Sequence, residues 1–98
     1  MLVDDAVYSA SEAFASFCKA TGFATLVGTT TGGDGVGIDP MVVVLPHSGI
    51  CLRFSSSLGL NPDGSGNEEF GTVPDVVCES GEDALEKCLE MARVRCTN

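Results

Sequence analysis

The turn Ser9-Ala10-Ser11-Glu12 constrains this chain more than any other segment. It stands where a short apolar strand, Leu2-Val3, gives way to a helix whose apolar face is Ala10, Ala13, Phe14, Phe17 and Cys18. Two readings of Ser9 are open. A serine hydroxyl at the positive end of a helix dipole, beside a free amide on the following residue, has the surroundings of a nucleophile with half of an oxyanion site. Ser9 with Glu12 three residues on also spells the S-x-x-E capping box of many ordinary helix starts, in which the two side chains satisfy orphan backbone amides.

Downstream of the helix and Gly22, an apolar strand is expected from Phe23 to Val27, followed by the glycine-rich run Gly28 to Gly37, a loop that needs close backbone approach. Asp39-Pro40 leads into Met41 to Leu45, a turn at Pro46-His47-Ser48-Gly49, and Ile50 to Phe54, which together read as a β-hairpin. A polar loop from Ser55 to Val73, the segment Pro74-Asp75-Val76-Val77 and a closing helix from about Glu82 to Arg95 complete the order.

That order resembles the catalytic core of the C-terminal processing (tail-specific) serine peptidases, peptidase family S41. The residues that carry the resemblance are Val3-Asp4, Ser9-Ala10-Ser11-Glu12, Ala24 to Gly28, Thr31-x-Gly33-x-Gly35, the hairpin, Asn61-Pro62-Asp63-Gly64 and Gly71 to Val76. No one of these motifs is decisive; the ordered set is specific and spans nearly the whole chain. The resemblance implies an α/β fold of the ClpP/crotonase type, with residues 1–98 forming the C-terminal half of one catalytic domain.

It also implies roles. The family's nucleophile is the serine three residues before the glutamate, which maps to Ser9, and the amide of Ala10 then supplies half of the oxyanion hole. In the tail-specific branch, a lysine between two glycines of the loop is the general base. Here Asp34 stands at that position, and a carboxylate cannot replace a neutral amine in an apolar pocket. The tricorn-core branch instead uses a histidine base oriented by a glutamate after the hairpin. That glutamate falls in Asn67-Glu68-Glu69, with Glu68 favoured by position over Glu69. In this reading the histidine takes the Ser9 proton, Ser9 attacks a peptide carbonyl, and an acyl-enzyme forms and is hydrolysed. Read without the family, Glu68 and Glu69 are a solvated acidic pair.

The sole histidine, His47, lies in the hairpin turn, where a polar residue serves ordinary turn chemistry. The family's base comes from upstream of the nucleophile strand, so the expectation is that these residues lack the base, the second oxyanion donor and any PDZ domain, and are inactive alone. The competing reading is a non-catalytic peptide- or ligand-binding module that keeps the peptidase fold, and Asp34 is the residue that sustains it. A free-standing structural domain is a third.

Composition adds exclusions. A net charge of −9 argues against nucleic acid as a partner, and no apolar run approaches the roughly 18 residues needed to span a bilayer. Hydrophobic residues make up 44%, unusually many for so small a soluble domain, with a mean hydropathy of +0.24. Surface meant for a missing N-terminal half would then be exposed, and a homodimer formed by domain swapping or edge-strand pairing is expected. The substrate implied is a peptide or protein, and relatives often work outside the cytoplasm.

No cofactor or metal is expected. Five cysteines without C-x-x-C spacing form neither a zinc site nor a disulfide framework. Cys18 and Cys88 read as buried thiols and Cys96 as the oxidisable one. Gly28 to Gly33 has P-loop spacing, but Asp34 and Gly35 replace its lysine and hydroxyl residue. Asn61-x-Asp63-x-Ser65-Gly66 begins like a calcium loop, yet Thr72 replaces the bidentate glutamate. The closing helix, capped by Ser80 and Asp83, is expected to pack through Ala84, Leu85, Cys88, Leu89 and Ala92.

Overall fold

A strand of two residues cannot bury much by itself, so the short apolar segments of this chain are stable only as neighbours in one sheet. In a computed structural model that describes residues 1–97, the elements run β1 (Leu2–Val3), α1 (Ala10–Thr21), β2 (Val27–Gly28), β3 (Met41–Val44), β4 (Cys51–Phe54), α2 (Asn67–Phe70), β5 (Val76–Val77) and α3 (Ala84–Cys96). The order in the first sheet is β1-β2-β5, all parallel, with Leu2 opposite Val27 and Val27 opposite Val76. Parallel neighbours need a crossover, and α1 supplies it between β1 and β2, which gives the expected α/β fold. The helix stops at Gly22, whose φ of 68° is the left-handed C-cap conformation that glycine adopts without strain.

The core is small: Val3, Ala15, Cys18 and Leu26 are buried together, with Met1, Val7 and Ala24 packed on them. Asp75 stitches this layer to the sheet. Its carboxylate accepts the Lys19 ammonium at 2.7 Å and the Leu26 amide at 2.8 Å. The Lys19 hydrogen bond first, then the amide, hold the Asp75 carboxyl below its ordinary range.

Several expectations need correction. The face that α1 buries is Glu12, Ala15 and Cys18, so of the apolar set read from the sequence Cys18 alone is buried; Phe14 and Phe17 are each 50% exposed and cluster with Phe23 at ring-centroid distances of 5.8 to 6.4 Å. The strand expected from Phe23 shrinks to Val27–Gly28, because only these residues meet β1 and β5. The polar loop after the hairpin contains α2. Asp83 caps α3 by accepting the Leu85 and Glu86 amides, whereas Ser80 makes no such bond; Leu85 and Leu89 are exposed and Cys88 is half-buried. Cys18 is buried and Cys96 exposed, as expected, and all five thiols are free.

The hairpin forms in the expected place, β3 pairing antiparallel with β4 from Met41–Phe54 to Val44–Cys51. Every residue of it is exposed. Among the described residues its two strands pack substantially on each other and on no other element. The molecule is accordingly long, 68 × 26 × 19 Å with a radius of gyration of 17.6 Å, against about 13 Å for a compact chain of this size. No described helix is long and apolar enough to cross a membrane.

Candidate active site

Between β1 and α1 the chain must reverse within a few residues, and it does so through an unusual conformation at Ser9, with φ 55° and ψ −125°. A serine held at positive φ costs of order 1 kcal/mol or more and persists only where its surroundings enforce it. The enforcing contacts are visible: Tyr8 bridges to Gly33 in parallel fashion, the Ser9 amide donates to the Gly33 carbonyl at 3.1 Å, and the Gly32 amide donates to Val7 at 2.7 Å. The glycine-rich loop is therefore the mould of the turn.

The capping-box reading fails here. Ser9 makes no side-chain capping bond and is exposed, and Glu12 does not reach back to it. The amides of Ala10 and Ser11, at the open end of α1, donate to no atom among the described residues. An exposed hydroxyl on a constrained turn with unspent amides behind it is the arrangement an acyl-transfer nucleophile requires.

Glu12 instead lies fully buried at the centre of a polar network. Its Oε1 accepts the Asn67 side-chain amide at 2.8 Å and the Thr72 hydroxyl at 2.6 Å, while Oε2 has no partner among the described residues. Asn67 also donates to Asn61 Oδ1 at 2.9 Å and accepts the Gly35 amide at 3.0 Å. Asn61 in turn donates to the Gly71 carbonyl at 2.8 Å, and the Thr72 amide donates to the Thr31 hydroxyl oxygen at 2.7 Å. A side chain at Gly35 is impossible without movement: a Cβ there would stand 2.6 Å from Glu12 Cβ and Cγ and collide with the Ala13 amide nitrogen.

Of the residues singled out from the sequence, Ser9 and Ala10 sit on this turn. Glu68 is exposed in the first turn of α2, directly after Asn67; its carbonyl oxygen is 3.1 Å from where a Gly33 Cβ would stand, so a side chain at Gly33, whose carbonyl accepts the Ser9 amide, would crowd the Glu68 backbone. Glu69 is exposed beside it. Asp34 is exposed at φ 62° on the loop rim, and His47 is exposed in the hairpin turn. Asn61, Asp63 and Ser65 close on one another, Asp63 accepting the Ser65 hydroxyl at 2.6 Å and its amide at 2.9 Å. Those two bonds lower the Asp63 carboxyl from its ordinary range, and no cluster of metal-ligating side chains exists among the described residues. A cleft of about 820 Å³ between Ser16, Lys19 and Ala20 of α1 and the 61–73 segment has Asn61 and Thr72 in its lining, but not Ser9, Ala10 or Glu68.

The network of Glu12, Asn61, Asn67, Thr72 and Thr31 escaped the sequence reading. One signal was present: Glu12 falls in register with Ala15 and Cys18, three residues apart, on the stripe that faces inward.

The family model of peptidase family S41 matches residues 1–78, a span that holds the turn, the loop, the hairpin, α2 and β5. The chain belongs to peptidase family S41. Solved structures similar to this family member include the crystal structure of mature CPAF, at 27% identity and TM-score 0.59, and that of mature CPAF complexed with lactacystin, at 28% and 0.61. Each alignment covers 78% of this chain but only 14% or 15% of the CPAF chain, so this S41 chain spans a small part of that relative's length. No curated protein matches it significantly.

Proposed function

We propose that this chain contributes the nucleophile half of a serine peptidase site of the Ser-His-Glu type, on a ClpP/crotonase-like fold of which it forms the C-terminal part. Ser9 is the nucleophile, the Ala10 amide an oxyanion donor and Glu68 the residue that orients the base. The observation that carries the reading is the strained, exposed Ser9 at the head of α1 with the Ala10 amide unspent, in a chain of the S41 family. A histidine from outside these residues takes the Ser9 proton as Oγ bonds to the carbonyl carbon of a peptide substrate. The imidazolium then protonates the departing amine, and water cleaves the acyl ester to restore Ser9. His47 is the sole histidine of the sequence and projects on the hairpin, so the 98 residues alone are inactive in this account. The hairpin, apolar and exposed on both faces, is the surface through which copies of the chain pair, or onto which the rest of the domain folds.

One observation favours a second reading. Asp34, where the tail-specific branch has its lysine, is exposed at the loop rim, as in a binding module that keeps the fold without the chemistry. A serine-directed fluorophosphonate, applied to the full-length protein that carries these residues, separates the two: the peptidase is labelled at Ser9 and Ser9→Ala is not, whereas a binding module is labelled in neither form. Lactacystin, held by mature CPAF in one of the similar structures, is a second probe of the same turn.

A further inference from the structure

We infer that Glu12 is the positioning residue of this site: through Asn67 it locks the glycine-rich loop against the Ser9 turn and sets the start of the helix that bears Glu68. For its catalytic consequence the inference rests on the reading above; the positioning itself does not.

A carboxylate with no exposed surface is costly unless a cation or several donors compensate it. The ion pairs among the described residues are Lys19 with Asp75 and Lys87 with Glu82, so Glu12 has no cation. It has two neutral donors on one oxygen and none on the other. For stability alone, an apolar side chain of similar volume serves as well or better at such a place. What an apolar side chain cannot do is choose the orientation of Asn67. Glu12 Oε1 and Asn61 Oδ1 take both hydrogens of the Asn67 amide, which obliges Asn67 Oδ1 to face the Gly35 amide.

The bonds then close a circuit. Ser9 donates to Gly33, Gly35 donates to Asn67, Asn67 donates to Glu12, and Glu12 lies one helical turn after Ser9. Thr72 enters the same oxygen from the strand-five side, so α2 and the segment before β5 share one buried acceptor on α1, and the loop is tied to it through Asn67. Glu68, next in the chain after Asn67, inherits its position from that acceptor.

The test uses hydrogen–deuterium exchange with residue-level mass spectrometry on the intact protein. In folded Glu12→Leu the Gly35 amide exchanges about tenfold faster or more, the amount one lost hydrogen bond predicts, while amides in the α1 core at Ala15 and Cys18 are unchanged. Glu12→Gln, which keeps the Oε1 acceptor, stays within about threefold of wild type. Should Glu12→Leu fail to fold, the pair swap decides. Asn67→Asp sets its carboxylate against Glu12 and against Asn61 Oδ1 and loosens the Gly35 amide, and adding Glu12→Gln restores part of the protection because the new amide donates to the new carboxylate. Unchanged Gly35 exchange in Glu12→Leu, or a double variant no better protected than Asn67→Asp alone, overturns the inference.

Fluorophosphonate kinetics on the full-length protein that carries these residues read the catalytic consequence separately. Glu12→Leu lowers the maximal labelling rate of Ser9 by about 10–100-fold with the probe's binding constant unchanged, as expected for a misplaced reacting group, and Glu12→Gln recovers most of it. If wild type is not labelled but the exchange pattern holds, the peptidase reading falls and the positioning role stands.

Discussion

The Ser9 turn and the β3–β4 hairpin treat hydrophobicity in opposite ways. Around the turn the buried side chains are polar, Glu12, Asn67, Thr72 and Thr31, while Phe14 and Phe17 of the same helix face outward. In the hairpin the side chains are apolar, Met41 to Leu45 and Ile50 to Phe54 with Arg53 the charged exception, and all are exposed. Where side-chain hydrogen bonds specify the geometry, burial follows the network; where only backbone pairing is specified, as in the hairpin ladder, none of the described residues covers the apolar faces. The first region carries its own definition. The second leaves its apolar faces open.

The difference is broken most severely by Gly35→Ala. The added methyl meets Glu12 Cβ and Cγ at 2.6 Å beside the Ala13 amide, in a region with no slack. We expect a loss of about 2–3 kcal/mol by urea unfolding, the upper range for overpacking; a neutral variant contradicts the tight seating of the loop on α1.

A smaller effect comes from pH and the Lys19–Asp75 bond. The folded Asp75 carboxyl titrates below the ordinary aspartate value of 3.8, so its contribution is present above that value and is lost as pH falls through the lower folded one. Side-chain exposures of 39% and 36% put the pair largely in solvent, and screening limits its worth to about 1 kcal/mol or less. Asp75→Asn should therefore lower stability slightly at pH 7, and the gap to wild type should close only on acidification below about pH 4. A gap that widens on acidification reverses the assignment.

The hairpin gives the smallest change in stability and the clearest change in assembly. Val42→Lys and Leu52→Lys, at exposed positions on adjacent strands, should alter unfolding free energy by no more than about 0.5 kcal/mol. Both should shift light-scattering mass at high micromolar concentration from dimer toward monomer, because charge on an edge blocks strand pairing. A wild-type chain already monomeric under those conditions removes self-association from the account.

Much of the fold was legible because it rests on local signals. The hairpin followed from two apolar runs around Pro46-His47-Ser48-Gly49, and α3 from its periodicity and the Asp83 cap. The turn at Ser9 was legible as a turn, but its two chemistries were not separable, since S-x-x-E serves both; the burial of Glu12 and the missing cap bond set aside the capping box. The outward Phe14 and Phe17 were misread because periodicity marks an amphipathic face without saying what covers it. Asn61, Asn67 and Thr72 were invisible as a set, lying 6 to 60 residues from their partners, a separation that no local pattern encodes.

The most direct test of the central claim is fluorophosphonate labelling of whichever full-length product carries residues 1–98 in the cell, with the modified residue located by peptide mass mapping. The account predicts adduct on Ser9, abolished in Ser9→Ala and retained in His47→Ala. A demonstrably folded product with no adduct at Ser9 would contradict it and leave the strained turn as the relic of a binding module.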